Sequence, residues 1–470
     1  MRWQAWSARL NRSAAEPLSR QIEQRLRMAI TAGELERGAR LPSTRSFAAQ
    51  LGVARGTVEN AIETLKAEGL LLSHRTTGTF VSTEASLVGA PSPRAPFVER
   101  DSAPFPALEW PFRVGAPAFD KFPRKLWVRL AVQQARRTMT PHGVRDSKGV
   151  FALRSAVAAY IGLTRGVRAP PENVFITAGY RGALGLIAAT FLEVGSEAWV
   201  EDPGYYPARD ALHAARARLV PVPVDAEGMQ VEKGTAAAPR ARLAIVTPAH
   251  QSPLGTTLSL RRRLELLEWA RRAKAWIVED DYDGEFRYTS SPLSSLQSLD
   301  RWGRVLYAGT FSKTISPYLR LGYLIAPPEA AERLSQTVEL IHPTTGVLDQ
   351  MIVAHFISEG HHARHVRRMR LLYAKRRIAV ADALAERFGD KLKPGFAHGG
   401  MHIMGWLPEG VDDARVASAA HTQSLGPQAL SQFRLAPGGP PALLLGFTNI
   451  DVGIALRAAD SLFKSISRLL

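Results

Sequence analysis

The stretch Tyr307-Ala-Gly-Thr-Phe-Ser-Lys-Thr-Ile-Ser-Pro-Tyr-Leu-Arg-Leu-Gly-Tyr323 decides the reading of this 470-residue chain. It opens as an apolar strand, breaks at Gly309, and offers Thr310, Ser312 and Lys313 within four residues, with Arg320 seven further on. A lysine amine condenses with aldehydes, while hydroxyls and a guanidinium suit a phosphate. An amine beside an anion site is what pyridoxal phosphate (PLP) requires, because a protein must hold both ends of that cofactor. A polar loop with a solvated lysine has the same composition, so the reading depends on what the flanking sequence supplies.

Working outward, residues 109–470 alternate short apolar strands with amphipathic helices, the pattern of an α/β sheet that is mostly parallel. Strands are expected at 174–177, 197–201, 243–247, 275–279 and 305–308. Ligands on such sheets collect beyond the carboxyl ends of the strands. After the first strand, Ala178-Gly-Tyr-Arg181 begins a helix whose free N–H groups can face an anion. Tyr180 and Arg181 are therefore assigned to the phosphate by backbone, with the Arg181 side chain as a further contact. After the second strand, Tyr205 follows a Pro-Gly turn and offers a ring to stack on a planar heterocycle. After the fourth, Asp280 and Tyr282 lie two apart and share one side of an extended segment. Asp280 would pair with the cofactor's ring nitrogen, keeping it protonated so that the ring draws electrons, and Tyr282 with its phenolic oxygen. Clustered carboxylates also suit Mg²⁺ or Ca²⁺, but the lysine 33 residues later favours PLP.

At the other end, residues 17–32 carry a helical stripe of Leu18, Ile22, Leu26, Ala29 and Ile30, closed by Gly33. Ser43 can cap a short helix ending near Leu51, Gly52 permits a tight turn, and a second helix buries Val58, Ile62 and Leu65. Two short helices joined at a glycine form a helix-turn-helix, whose second helix presents its N-terminal side chains to the major groove. Here those are Arg55, Gly56 and Thr57, with Arg45 placed for a phosphate. After Gly69, two short strands around a turn form a wing carrying His74 and Arg75. Residues 1–81 hold twelve Lys and Arg against seven Asp and Glu, compatible with a surface facing phosphates. Residues 82–108 contain five prolines and no periodicity, and read as a semi-extended tether.

The chain is too long for one ordinary domain, and its 46% hydrophobic residues can bury a full core. No cysteine is present, which excludes disulfides, thiolate zinc sites and a cysteine nucleophile and fits a reducing cytosol. The N-terminus lacks the apolar core of a signal peptide, and no apolar run approaches the roughly 20 residues of a membrane helix. A net charge of +17 suits a polyanionic partner. His361, His362 and His365 invite a metal reading, since positions i and i+4 share a helix face, but no metal is expected.

The run Leu41-Pro-Ser-x-Arg-x-x-Ala-x-x-Leu-Gly-Val-x-Arg-x-Thr-Val58, then Glu68-Gly69 and Gly78-Thr-Phe-Val81, resembles the winged helix of GntR-type bacterial regulators. The resemblance implies DNA contacts at Arg45, Arg55, Thr57 and Arg75; Gly56 stands where these regulators often carry a base-reaching side chain. Gly179, Tyr205, Asp280-x-Tyr282, Thr310-x-x-Lys313 and Arg320, in that order, resemble the fold-type I PLP proteins. Together the two modules resemble the MocR-type regulators. The expected fold is thus an N-terminal α+β winged helix (1–81), a linker (82–108) and a C-terminal α/β aminotransferase-like domain with a mostly parallel sheet (109–470).

What the resemblance implies is a cytoplasmic bacterial transcriptional regulator, at the nucleoid when bound to double-stranded promoter DNA, and a homodimer, head-to-tail in one arrangement. Lys313 would hold PLP as a Schiff base, and an amine or amino-acid effector would displace it by forming an external aldimine. Two departures stand out. Ser252-Pro-Leu-Gly255 replaces the Asn-Pro of enzymatic aminotransferases, leaving Ser252 near the ring oxygen. Ala442-Leu-Leu-Leu-Gly-Phe447 lacks the arginine that clamps a substrate carboxylate, with Arg434, Arg209 and Arg181 as candidate substitutes. Two alternatives stay open: a working aminotransferase, and a GntR-type regulator whose second domain only dimerises.

Overall fold

The computed structural model describes residues 10–12, 14, 16–74, 78–83, 107–138, 146–288, 294–341, 346–395 and 397–470. The chain divides into two compact units, Met1–Ala103 and Pro104–Leu470. Most of the tether expected at 82–108 lies outside the described residues.

In the first unit the apolar stripe becomes the helix Leu18–Thr31, with Ile22, Leu26 and Ala29 buried. The Ser43 side chain accepts a hydrogen bond from the Ser46 amide at 3.2 Å, starting the helix Thr44–Leu51. Gly52 ends it at φ 64°, a left-handed conformation that glycine adopts without a Cβ penalty. The next helix, Arg55–Ala67, buries Val58, Ala61, Ile62 and Leu65 around Phe47. Strands β1 (Leu71–His74) and β2 (Gly78–Val81) pair antiparallel, with His74 opposite Gly78. The result is three helices and a hairpin around one small core.

The second unit is organised by an eight-stranded sheet. Its strands are β3 (Val174–Thr177), β4 (Glu197–Asp202), β5 (Arg218–Asp225), β6 (Gly228–Met229), β7 (Leu243–Val246), β8 (Trp276–Asp281), β9 (Val305–Thr310) and β10 (Gly322–Ile325). They lie in the order β3-β10-β9-β8-β7-β4-β5-β6. The central pairs β5–β4, β4–β7, β7–β8 and β8–β9 are parallel, while β10 runs antiparallel to both β3 and β9. Alternation divides each strand between two cores. Val200, Ile245, Val278 and Leu306 face helices Gly179–Phe191 and Pro328–Ile341. Trp199, Ala244, Ile277 and Val305 face the other way, toward helix Leu260–Ala273. Covered on both faces, these strands read in sequence as continuous apolar runs.

Two strands run further than their apolar residues suggest. Asp280 and Asp281 pair with Ala308 and Gly309, and Thr310 pairs with Gly322. Asp280 is therefore fixed by ladder hydrogen bonds inside β8, not on a turn beyond it. A second sheet, of β11 (Lys393–Gly395), β12 (His402–Trp406), β13 (Gln428–Ala429) and β14 (Ala442–Gly446), packs on the 28-residue helix His361–Phe388. Among the described residues no helix is long and apolar enough to cross a membrane.

Candidate functional site

A cavity of about 450 Å³ opens in the second unit where β3, β8 and β9 end, and the second sheet supplies its opposite wall. Tyr180, Arg181, Tyr205, Ser252, Asp280, Tyr282, Thr310, Ser312, Lys313 and Arg320 all line it. The ten residues that the sequence marks out as cofactor contacts thus converge on one space, from five separate stretches of chain. Its volume falls within the usual range of ligand pockets.

One end is built for an anion. β3 stops at Thr177 and the helix Gly179–Phe191 begins with Gly179 at φ 70°. The first N–H groups of that helix have no carbonyl one turn earlier to bond, and the helix dipole favours negative charge there. Across from it, Thr310 Oγ1 accepts from the Ser312 amide at 3.1 Å and lies 3.0 Å from Ser312 Oγ, so both hydroxyls are held together. Arg320, at φ 48° after the turn Pro317–Leu319, adds an exposed guanidinium. Arg181 also pairs with Asp210 at 3.4 Å, but both are exposed and such a pair is worth at most about 1 kcal/mol.

The ring end holds a buried acid. Asp280 Oδ1 lines the cavity and has no hydrogen-bond partner among the described residues. Burial pushes its carboxyl well above the ordinary range, opposed by the nearby Tyr180 hydroxyl, with Asp281, Glu201 and Asp283 adding to the upward shift. A buried oxygen of this kind calls for a donor, and a protonated ring nitrogen supplies one. The Tyr282 hydroxyl lies 2.8 Å from His250 Nδ1, which is also 3.1 Å from an Asp283 oxygen. Ser252 is buried beside the Tyr282 hydroxyl, its amide bonded to Thr247 Oγ1 at 3.0 Å. These contacts set the direction of the phenol before anything binds. The residues present therefore fit PLP at both ends.

Between the ends stands Lys313, whose Nζ donates to the Gly115 carbonyl at 3.2 Å. Burial pulls its pKa down to about 8, with Asp283 opposing that shift and Arg113 reinforcing it. At that value roughly a tenth of the amine is neutral near pH 7, against well under a hundredth for a free lysine. A neutral amine is the nucleophile an aldehyde needs.

A second layer keeps the acidic end of β8 in place. Arg165 Nε binds Asp281 Oδ2 at 2.7 Å and the Tyr307 hydroxyl donates to the same oxygen at 2.5 Å, all three side chains buried. Asp281 is the neighbour of Asp280 on the strand, so this ion pair anchors the segment that holds Asp280 in the cavity wall.

Not every expected residue reaches the cavity. Arg209 is buried and spends its guanidinium on the backbone carbonyls of Gly204, Phe433 and Arg434. Arg434 donates to the Pro440 carbonyl at 2.7 Å. Both tie loops together and neither lines the large cavity, although Arg209 borders a void of about 20 Å³ next to it. His362 sits fully buried among Tyr160, Phe311 and Phe356, and burial holds its pKa down to about 3. Among the described residues no group of three His, Asp or Glu side chains converges as a metal site would require. Conversely, Arg113, Gly115, His402 and Gln428 line the cavity without a signal in the motifs above, and Leu444 stands there within the apolar run that lacks the arginine. The Phe112-Arg-Val-Gly115 run was the available signal: an apolar anchor, a cation and a glycine in a stretch with no periodicity.

In the first unit Arg55, Gly56 and Thr57 form the first turn of helix Arg55–Ala67, where Arg55 and Gly56 are exposed and Thr57 partly so. Arg45 is exposed on the preceding helix, and His74 is exposed on β1 beside Phe80. Arg55 is held by Glu59 at 2.7 Å in an exposed pair that a phosphate could displace at small cost. Arg75 lies outside the described residues.

Residues 18–81 match the model of the gntR family of bacterial regulatory proteins, and residues 111–416 match that of aminotransferase class I and II. The chain is 36% identical over 457 residues to the probable rhizopine catabolism regulatory protein MocR of Rhizobium meliloti, covering 94% of this chain and 92% of that one. It is 31% identical over 447 residues to the pyridoxine biosynthesis transcriptional regulator PdxR of Corynebacterium glutamicum, covering 94% of each. Among solved structures, the α-aminoadipate aminotransferase LysN of Thermus thermophilus, complexed with N-(5'-phosphopyridoxyl)-L-leucine, superposes with a TM-score of 0.69. That match has 28% identity and covers 76% of this chain and 92% of the enzyme.

Proposed function

The chain belongs to the MocR-type regulators of the gntR family, a winged helix joined to an aminotransferase class I and II domain, and from that premise we propose that it is a PLP-binding transcription factor that senses PLP or a small amine through Lys313. The observation that carries this reading is the convergence of Lys313, Asp280, Tyr282 and the Thr310–Ser312 hydroxyls on one cavity. PLP would bring an aldehyde that condenses reversibly with a primary amine and a ring that accepts electron density.

The chain's own residues have clear tasks in that arrangement. The start of helix Gly179–Phe191, Thr310, Ser312, Arg320 and Arg181 receive the phosphate. Asp280 would accept the ring N–H, Tyr282 and Ser252 would meet the phenolic oxygen, and Tyr205 would cover the ring face. Lys313 would supply the amine that holds the cofactor, and an effector amine would compete for the same position. Regulation requires that the ligand bind two states of the protein unequally, and release of the Lys313 side chain with the cavity filled would be the source of that difference. Arg45, Arg55, Thr57, His74 and Arg75 then engage promoter DNA, with phosphate contacts setting affinity and base contacts setting sequence choice. A homodimer would present paired winged helices to two half-sites.

Transamination is the competing use of the same site. The apolar Leu444 in the cavity wall, where a carboxylate clamp is expected in such enzymes, supports sensing over turnover. The test is a DNA-binding isotherm with and without PLP, repeated over a panel of amines. A shift in DNA occupancy with cofactor or amine is expected. Unchanged occupancy throughout, or multi-turnover transamination without sequence-specific DNA binding, contradicts the proposal.

A further inference from the structure

Behind the ring end of the cavity, one layer back from its wall, lies His250. It follows β7 in the chain, is buried, and does not itself line the cavity. Its Nδ1 lies 2.8 Å from the Tyr282 hydroxyl and 3.2 and 3.1 Å from the two side-chain oxygens of Asp283. Both of those neighbours do line the cavity. The seat of the imidazole is narrow. A Cβ on Gly400 would lie 2.1 Å from His250 Cε1 and 2.6 Å from its Nε2, and Gly400 sits at φ 89°, so the ring leans on backbone that only glycine provides.

A carboxylate accepts hydrogen bonds and donates none. With both Asp283 oxygens beside it, Nδ1 must carry the imidazole proton, because a bare lone pair there would face theirs. That N–H is shared between Asp283 and the Tyr282 oxygen, so Tyr282 has no acceptor in His250 for its own proton. The phenol proton is left for the other side, toward Ser252 or an acceptor in the cavity. Burial, with Asp283 and Asp280 nearby, holds the Tyr282 pKa well above the ordinary phenol range, so the proton stays on the hydroxyl. The far nitrogen of His250, Nε2, has no hydrogen-bond partner among the described residues. It faces His402, ring centroids 5.7 Å apart, whose own Nε2 donates to the Pro253 carbonyl at 2.8 Å. The Nδ1 contacts alone therefore orient the His250 ring.

We propose that His250 is a positioning residue which, with its tautomer set by Asp283, makes the Tyr282 hydroxyl a fixed hydrogen-bond donor toward the phenolic oxygen of the cofactor. This rests on the reading that the cavity holds PLP, and it adds a residue that touches no ligand and acts only through Tyr282. The gain is preorganisation. A freely rotating phenol spends part of its time aimed away from an incoming oxyanion, whereas one whose oxygen is claimed by the Nδ1–H already presents its proton. His250 takes no part in holding the phosphate or in the chemistry of Lys313.

The test titrates the full apo chain with PLP and reads the dissociation constant from visible absorbance. His250→Leu removes the Nδ1 donor and should weaken PLP binding about 3- to 10-fold, the effect of one hydrogen bond. His250→Asn puts an amide N–H where Nδ1 stood and should stay within about twofold of the wild type. In a Tyr282→Phe background the same His250→Leu change should cost less than about twofold, because the group it acts through is gone. A packing role would move the Asn and Leu variants alike and would persist without the phenol. Where His250→Leu does not fold, His250→Gln, whose amide reaches the Nε2 position instead, serves as the loss variant. Equal losses in His250→Asn and the loss variant, an undiminished loss in the Tyr282→Phe background, or no loss at all overturns the assignment while leaving PLP binding intact. A wild-type protein that takes up no PLP contradicts the cofactor reading itself, and the inference falls with it.

Discussion

Lys313 Nζ and the Gly115 carbonyl are 3.2 Å apart, and a Cβ placed on Gly115 would lie 2.2 Å from that same nitrogen. Gly115 also sits at φ 72°, where any L side chain is strained. The free amine is thus parked against a backbone carbonyl that only glycine allows it to reach. Gly115→Ala is expected to push the amine off that carbonyl, a contact made only while Lys313 is free, and so to change the rate at which the apo-protein captures PLP by up to about tenfold. Absorbance after mixing with PLP measures it, and an unchanged capture rate removes the contact from the account.

The lowered pKa of Lys313 sets a pH dependence. Below about 8 the folded chain holds the amine mostly protonated, and above it mostly neutral. Only the neutral form attacks an aldehyde, so capture of PLP by the apo-protein should quicken as pH rises and level off above about 8. A rate still climbing at pH 9.5 would mean that the amine titrates like an ordinary lysine.

Much of this site could be read in the sequence because each contact sits at a strand end within its own short motif. Thr310, Ser312 and Lys313 are neighbours in the chain, as are Asp280 and Tyr282, and a parallel sheet gathers strand ends onto one edge. Arg113 was not legible because its position depends on β14, more than three hundred residues away, pairing with Phe112. Arg209 and Arg434 show the opposite failure. Their charge is visible in sequence, but the carbonyls of Gly204, Phe433 and Pro440 that occupy them are not. In the first unit the Ser43 cap and the Gly52 turn were legible because both are local hydrogen-bonding devices.

The buried pair Arg165–Asp281 should matter more to folding than any surface pair. Arg165→Met leaves Asp281 and nearby Glu285 without their cation in a dry setting. A loss of about 3–5 kcal/mol is expected for breaking a buried pair from one side. Denaturant unfolding of the second unit measures it, and a loss below about 1 kcal/mol would show that water reaches Asp281.

Arg45 is exposed on the helix Thr44–Leu51, which precedes the helix Arg55–Ala67, and in the proposed reading it meets a phosphate. Arg45→Ala should weaken binding to all DNA sequences alike and flatten the plot of log affinity against log salt by about 0.9. Replacement of Thr57, on the recognition helix, should instead change the preference among operators. An Arg45→Ala variant that alters sequence preference while keeping the salt slope would reverse the two roles.

The central claim is that the nitrogen of Lys313 makes the covalent bond to the vitamin B6 aldehyde. Borohydride reduction of the PLP-loaded protein, followed by proteolysis and mass mapping, tests it directly. The pyridoxyl mass is expected on the peptide containing Lys313 and should be absent from Lys313→Ala. A tag on another lysine, or none after incubation with PLP, contradicts the claim.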